Sequence, residues 1–600
     1  MSDTTDNKKG QGTIFEVNPK KAYNTNDEVA STSYDSSSGS ISETEESKGG
    51  FKGWFHNFID GFKRYDVGEI DPNLTDIERT AVIAAKAPLK RKLKSIHIQM
   101  IAIGGAIGTG LFVGSGTALA TGGPASLIIC YSLTGAMIFC TVQALGELSV
   151  AYPVAGSFLS LCNRFISPGW GFMISWNYAM QWLIVMPLEL VAASLTIQFW
   201  NSSVNPGAWV AIFYCTIVII NLFGSLGYAN VESVLSMIKI VAIVGFCILG
   251  VVLNCGGGPN GKYIGGMYFH NPGAFNHGFK GLCSVFVTAA FSFEGTELVG
   301  LASAETQNPE KVLPSATKQV VWRVVLFYLV SLTLVGLLVP YNDSRLLQSS
   351  SVDVTASPFV ISIENAGIKV LPSIFNGVIL ISVISVANSA VFGCSRTIAS
   401  LADQSFAPKW FGYIDRTGRP LAGVGLALLF GLLCFLSATP KEAEVFSWLM
   451  ALSGLSSICT WGTICLCHIR FRNAMKVQGR TTDELSFTAI SGVIGSWFGL
   501  ILNCLVLVVE FWISLFPIGS KPNAKAFFQS YLNVVVNIGL FIIYLLWKRR
   551  KSIVWIHGKD VDLVTGRKKV DVDLVRQEKA EMKAYIRSRP WWYRTYKFWC

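Results

Sequence analysis

The chain has 600 residues, half of them hydrophobic (51%) and only 14% charged, with a mean hydropathy of +0.45. A water-soluble chain of this length needs more charge to cover its surface, so a string of soluble domains is excluded. The formal net charge of +11 does not point to nucleic acid, because Lys and Arg lie between apolar runs rather than in one patch.

The first 95 residues are polar and begin MSDTTDNKKGQG, which is no cleavable signal peptide, so membrane insertion is expected to start at the first apolar helix. Residues 31–47 (STSYDSSSGSISETEES) are Ser-rich and acidic and cannot bury a core. In 51–64, Phe51, Trp54, Phe55, Phe58, Ile59 and Phe62 recur at helical spacing, with Lys52, Lys63 and Arg64 elsewhere on the wheel. This is either an amphipathic helix on a membrane or protein surface, or a short helix with no special role.

Apolar runs of about 20 residues, the length that spans a hydrocarbon core, fall near 98–120, 125–150, 171–199, 208–226, 231–253, 281–303, 323–340, 371–400, 420–438, 445–467, 495–516 and 529–547. Twelve spans put both termini on one side. The loops on that side, from Lys86 to Lys551, carry 20 Lys and Arg, whereas the opposite loops carry 7. The termini are therefore expected in the cytoplasm. The division that follows is a cytoplasmic tail over 1–95, a transporter domain over 96–548 and a second tail over 549–600. That last tail holds a charged helix near 573–587. The sequons at Asn201 and Asn342 fall on the outer side, each close to a helix end, which disfavours their use. Most of the fourteen cysteines, such as Cys130, Cys140, Cys247 and Cys434, sit inside apolar runs and read as packing residues.

The first span holds five glycines within 104–114 (GGAIGTGLFVG), each costing roughly 1 kcal/mol of helix stability relative to alanine. Glycine in a membrane is also packing material, but the sixth span favours a break. There, Gly295-Thr296-Glu297-Leu298-Val299-Gly300 repeats Gly108-Thr109-Gly110-Leu111-(Phe112)-Val113-Gly114 with one gap, 187 residues on. The copies are five spans apart, an odd number, so the second runs through the membrane in the opposite sense. The fold class expected is an all-α bundle of about twelve helices, an inverted five-plus-five repeat with helices one and six broken and two helices appended. Interrupted helices at matching places mark a transporter site. Unwinding frees N–H groups for a carboxylate and carbonyls for an ammonium, which together suit a zwitterionic amino acid. The lining is expected from Ala106, Ile107, Gly108, Thr109 and Gly110 in the first break, and Phe291, Ser292, Phe293, Glu294 and Gly295 in the second. Thr109 and Gly110 are the candidates for the carboxylate. The carbonyls of Ala106, Phe291 and Glu294 are those for the ammonium, and Phe293 shapes or gates the pocket.

Ionisable groups within spans are costly and therefore functional candidates. Lys239, in the middle of span five, is far from either interface, and proton coupling is expected of it rather than snorkelling. Glu189 in span three is read as proton carrier or polar lining. Glu147 closes span two, where a structural role is expected. Glu297 is read as holding the unwound segment. Asn388 and Ser389 in span eight either line the site or bond between helices. No nucleophile–base set or metal-ligand cluster stands out, so neither an enzyme nor a cofactor is expected.

The segments GGAIGTGLFVGSGTALATGGPASL, FVTAAFSFEGTELVG, SVANSAVFGCSRT, LNCGGGPNGKYIGG and the terminal FWC resemble the fungal amino acid permeases of the amino acid–polyamine–organocation superfamily, in type the general amino acid permeases. The resemblance covers about 65–600 and implies proton symport of L-amino acids at the plasma membrane. It implies that Lys239 stands where sodium-coupled relatives bind sodium. It further implies palmitoylation of Cys600, and endocytosis through ubiquitin-ligase adaptors acting on N-terminal lysines, with Lys8, Lys9, Lys20 and Lys21 as candidates. Similar general permeases carry a small residue at the position of Glu294, and basic amino acid permeases a polar amide. Glu294 is therefore read as facing a cationic side chain and favouring lysine or arginine, with a part in proton transfer as the alternative. The competing function is a receptor that binds amino acids and signals without transport; such sensors carry much longer tails.

Overall fold

A computed structural model describes residues 56–594, apart from 57, 67, 69–70, 72–73, 87–88, 155, 201–202, 349–356, 439–441, 549–554 and 568–571. The chain divides into two units, Met1–Phe58 and Ile59–Cys600. Of the first unit only His56 and Phe58 are described. Lys8, Lys9, Lys20, Lys21, Asn201, Cys600, the Ser-rich segment and residues 51–55 and 57 of the amphipathic segment lie outside the described residues. All that follows concerns the second unit.

Among the described residues no strand forms; the only bridges pair Arg64 with Asp415 and Leu93 with Thr306. The helices are α1 (Asp76–Lys86), α2 (Ser95–Gly104), α3 (Gly110–Ala151), α4 (Phe158–Phe165), α5 (Pro168–Ile197), α6 (Pro206–Leu222), α7 (Gly224–Asn254) and α8 (Gly278–Phe293). They continue as α9 (Pro309–Leu338), α10 (Pro358–Asn365), α11 (Leu371–Asp403), α12 (Leu421–Leu436), α13 (Glu442–Val477), α14 (Gly492–Leu515), α15 (Ala524–Lys548) and α16 (Val572–Arg587). Among the described residues, eight helical stretches are long and apolar enough to cross a membrane: α3, α5, α7, Gly278–Glu305 (α8 with its continuation), α9, α11, α14 and α15. Ser95–Gly104, Pro206–Leu222 and Leu421–Leu436 are shorter apolar helices. With hydrogen bonds closed inside each helix, this is a polytopic all-α membrane protein.

Local chemistry explains the boundaries. Ser167 and Asn205 cap α5 and α6 by accepting from the N–H groups of Trp170 and Gly207, and a proline follows each cap. Within α3 the helix is interrupted at Gly123 (φ 82°), just before Pro124. A Cβ at Gly123 would lie 2.8 Å from the Ala274 oxygen, so only glycine fits there. Several helices outrun the apolar stretch that predicts them: α13 continues to Val477, ten residues past the expected end, on HIRFRNAMKV.

The helices fall into two classes. α5 and α11 lie against each other and are buried on nearly all sides. By contrast, α7, α14 and α15 turn large apolar side chains outward, with Ile494 85%, Leu546 71% and Ile248 65% exposed. A helix apolar all round is at home in a core or in lipid; α5 and α11 are the first case and α14 and α15 the second.

Polar clamps tie the helix ends. Glu147 accepts from Arg472 Nη2 at 2.8 Å and from the Ala489 N–H at 2.6 Å, with His468 Nε2 3.0 Å away, which is the structural role expected of it. Buried Arg396 pairs with Glu305 at 2.8 Å and stacks on Phe392. Beside that pair the Leu93 backbone bonds to Glu305 and Gln307. Residues 555–567 lie as a strap: Tyr152 donates to the Leu563 carbonyl, Arg164 to Thr565, Gln478 to Gly558 and Val561, and Arg470 to Ile556.

Candidate functional site

The first helix run stops at Gly104 and resumes as a π-helical turn at Gly110–Gly114. The second stops at Phe293 and resumes at Leu298–Leu301, with Gly295 at φ +90°. Both breaks fall where the glycine-rich repeats lie in the sequence. They also face each other at backbone distance. A Cβ on Gly295 would be 2.4 Å from the Gly105 oxygen, and one on Gly110 would be 2.6 Å from the Ser292 Cα. Glycine lets the unwound chain touch at Gly295 and the flanking helical turns touch at Gly110.

Side chains from neighbouring helices staple the breaks. The Tyr328 hydroxyl lies 3.1 Å from the Ala106 oxygen and 2.8 Å from the Ser292 oxygen, so its one proton is shared between a carbonyl of each run. Tyr131 and Ser292 share a hydrogen bond of 2.7 Å. Phe293 stacks on the Tyr328 ring at 4.1 Å, buried among aromatic rings. Glu297 accepts from the Gly295 N–H (3.3 Å), the Tyr178 hydroxyl (3.3 Å) and the Trp461 indole (3.1 Å). Three donors on one carboxylate fix the unwound turn, the arrangement that makes buried ionic groups tolerable.

Glu189 reaches the first break directly: Thr109 Oγ donates to its Oε2 at 2.5 Å. Glu294 accepts from Gln181 Nε2 at 2.5 Å, and Gln181 donates to Ser457 as well. The other Glu294 oxygen, Oε2, makes no hydrogen bond among the described residues. The Lys239 ammonium is fully enclosed and donates to the carbonyls of Gly104 (2.7 Å) and Ile107 (2.9 Å) and to Ser385 Oγ (2.8 Å). Two of its three protons are thus spent on carbonyls freed by the first break, which explains how a lysine stays buried without a direct ion pair.

The remaining candidates divide. Ala106, Ile107, Gly108, Thr109 and Gly110 face Phe291, Ser292, Phe293, Glu294 and Gly295 across one seam, all near or below a tenth exposed apart from half-buried Ala106. The Ala106 and Phe291 carbonyls already accept, from Tyr328 and from the Glu294 N–H, and each keeps a second lone pair. Asn388 and Ser389 bond across helices, to Asn221 (2.9 Å) and Tyr228 (2.9 Å). The cavity beside the breaks, lined by Ala106, Ile107, Phe293, Thr296, Arg323 and Tyr328, measures about 10 Å³ and is too small for an amino acid.

Sequence reasoning missed Gln181, Tyr328, Tyr131, Tyr178, Trp461, Ser385 and Glu232. All but Glu232 carry no local signal. Glu232 does: it lies seven residues before Lys239, two helical turns away on the same face. Its Oε1 accepts from Ser385, and a Cβ at Gly104 would lie 1.7 Å from that oxygen.

A family model described as amino acid permease matches residues 97–557. The chain is 58% identical over 549 residues to the general amino-acid permease GAP2 of Candida albicans, covering 91% of this chain and 93% of that one. It is 52% identical over 570 residues to the general amino-acid permease GAP1 of Saccharomyces cerevisiae, with 94% of both chains covered. It is 50% identical over 519 residues to the tryptophan permease of Saccharomyces cerevisiae, covering 85% and 87%. An all-helical membrane bundle with two broken helices meeting at its centre, and a family match across that whole bundle, lead to one conclusion: the chain belongs to the amino acid permease family, whose members are transporters and not enzymes.

Proposed function

We propose that the protein imports L-amino acids across the plasma membrane as a proton symporter working by alternating access. In this reading 96–548 is the transporter domain and both termini are cytoplasmic. Counting α2 with Gly110–Gly122, the remainder of α3, and α5 to α9 and α11 to α15 as single crossings gives twelve, an inverted five-plus-five repeat with two helices appended. The pairing of two glycine breaks, one per half, supports the repeat.

The observation that carries the proton is the bond from Thr109 to Glu189. Thr109 and Gly110 are the groups proposed for the substrate carboxylate. A carboxylate arriving there stands next to the Glu189 carboxylate, and two such groups sharing one buried hydroxyl do not both stay ionised. Binding of the zwitterion therefore brings a proton with it. Glu294, with one oxygen uncommitted, supports a preference that includes lysine and arginine. On the cytoplasmic side of the proposed topology, the Leu93–Glu305–Arg396 clamp closes the path and must part for release. Palmitoylation of Cys600, and adaptor-dependent ubiquitination of Lys8, Lys9, Lys20 or Lys21, complete the proposal.

The test is uptake of each radiolabelled amino acid into permease-deficient yeast at two external pH values. The account expects uptake that rises as the medium is acidified and stops with a protonophore. Binding without uptake would make the protein a receptor instead.

A further inference from the structure

Lys239 has three hydrogen-bond acceptors, and the third opens a path. Lys239 Nζ donates to Ser385 Oγ at 2.8 Å, and the same hydroxyl donates to Glu232 Oε1. Ser385 therefore accepts from the ammonium and donates to the carboxylate, the polarity a hydroxyl needs to pass a proton along. Glu232 is fully enclosed, with Ser236 and Asn388 beside it. Gly104 makes room for it, since any side chain at that position would overlap its Oε1. The groups with charge facing Lys239 are Glu232 on α7 and Glu189 on α5; those facing Glu232 are Lys239 and Tyr228. From α2 and α11 the neighbours are carbonyls, hydroxyls and an amide.

We propose that Ser385 and Glu232 relay the coupling proton from Lys239 toward the cytoplasm, a role that rests on the proton-coupled reading above. Seven residues of helix set Glu232 about 10 Å closer than Lys239 to the α7 N-terminus, the cytoplasmic end in the proposed topology. The step balances. The Ser385 O–H bond breaks as its proton joins Glu232 Oε1, while a proton leaves Lys239 Nζ for Ser385 Oγ. The products are a neutral amine, an intact hydroxyl and a neutral carboxylic acid. Chains of acidic groups within a membrane serve as proton relays of this kind. When the Arg396–Glu305 clamp opens, Glu232 faces the cytoplasm and releases its proton. The loaded state carries two charges, the transfer leaves none, and release leaves the Glu232 carboxylate alone, so the ammonium that held α7 to the first break and α11 is gone. Lys239 reports occupancy to the helices that move, and Glu232 resets it.

The experiment compares wild type, Glu232→Gln, Ser385→Ala and Ser385→Thr in proteoliposomes. One readout is accumulation of labelled amino acid under an imposed pH gradient. The other is counterflow exchange without a gradient, which needs no net proton release. The relay predicts that Glu232→Gln and Ser385→Ala cut accumulation by about tenfold or more while exchange falls by much less. Ser385→Thr, which keeps the hydroxyl, restores accumulation. Wild-type accumulation in Glu232→Gln, or accumulation and exchange lost together in both variants, overturns the relay. If wild-type protein exchanges but never accumulates under the gradient, the proton-coupled reading itself has failed.

Discussion

Gly295→Ala carries two separate penalties. Gly295 has φ +90°, and a left-handed backbone costs an L-residue roughly 1–2 kcal/mol. The added Cβ would also sit 2.4 Å from the Gly105 oxygen and 2.7 Å from its carbonyl carbon, where ordinary contact begins at 3.4 Å. Both are backbone atoms and no rotamer relieves them, so the two breaks must part by about 1 Å. In a site that works by positioning, a shift of that size costs on the order of a hundredfold. The account expects initial uptake to fall by roughly tenfold to a hundredfold at equal surface amount. The control is Gly245→Ala on α7, where nothing lies within 4 Å of the new Cβ and uptake stays at the wild-type level. The assay is labelled amino acid uptake in permease-deficient cells, with thermal stability of the detergent-solubilised protein measured in parallel. Wild-type KM and maximal rate in Gly295→Ala would refute the claim that the facing breaks form the site.

Glu294→Ala removes the carboxylate whose second oxygen is uncommitted. Uptake of lysine and arginine should drop against that of neutral amino acids by an amount equivalent to about 2–5 kcal/mol, and an unchanged ratio would remove Glu294 from substrate choice. Glu297→Ala strands the donors of Gly295, Tyr178 and Trp461, at about 1–3 kcal/mol for each left unpaired. The solubilised protein should melt at clearly lower temperature, and an unchanged transition would deny Glu297 its stapling role. Asn533→Leu cuts the bond to Asn177 (3.0 Å) that ties α15 to α5, worth about 0.6 kcal/mol in a membrane interior and at most about 1.7. Thermal stability should fall slightly with uptake intact; a large uptake loss would mean that α15 acts on the site. Asp562, in the strap, is held below the usual carboxylate range: burial works against its charge, but the Thr565 and Val564 N–H groups outweigh it. A carboxylate lowered on folding adds stability above the ordinary value near 4 and loses it as pH falls through its folded value. Strap protection in hydrogen exchange should hold at neutral pH and fade below about pH 4, and Asp562→Asn should show reduced protection already at neutral pH.

The breaks were legible because glycine inside an apolar run has few other reasons to cluster, and the two runs repeat one pattern. Lys239 was legible because a lone charge in mid-span stands out against its surroundings. Its partner Glu232 was missed although the signal was there: it sits at the edge of the same apolar stretch, two helical turns from Lys239 on one face. Gln181, Tyr328 and Trp461 meet the breaks from helices far off in sequence, and nothing local in their own segments marks them. The strap over 555–567 was invisible for a different reason. Only Val561 and Leu563 are well buried in it, and its docking is made by backbone carbonyls that any residue carries.

The central claim is that each amino acid crosses with a proton through the site at the two breaks. Its most direct measurement is proton and labelled amino acid entry recorded together in proteoliposomes, in wild type and in Lys239→Ala. The account predicts that adding substrate to wild type draws protons inward with it, and that Lys239→Ala abolishes this proton flow. Amino acid entry in wild type with no accompanying proton, unaffected by an imposed pH gradient, would contradict it.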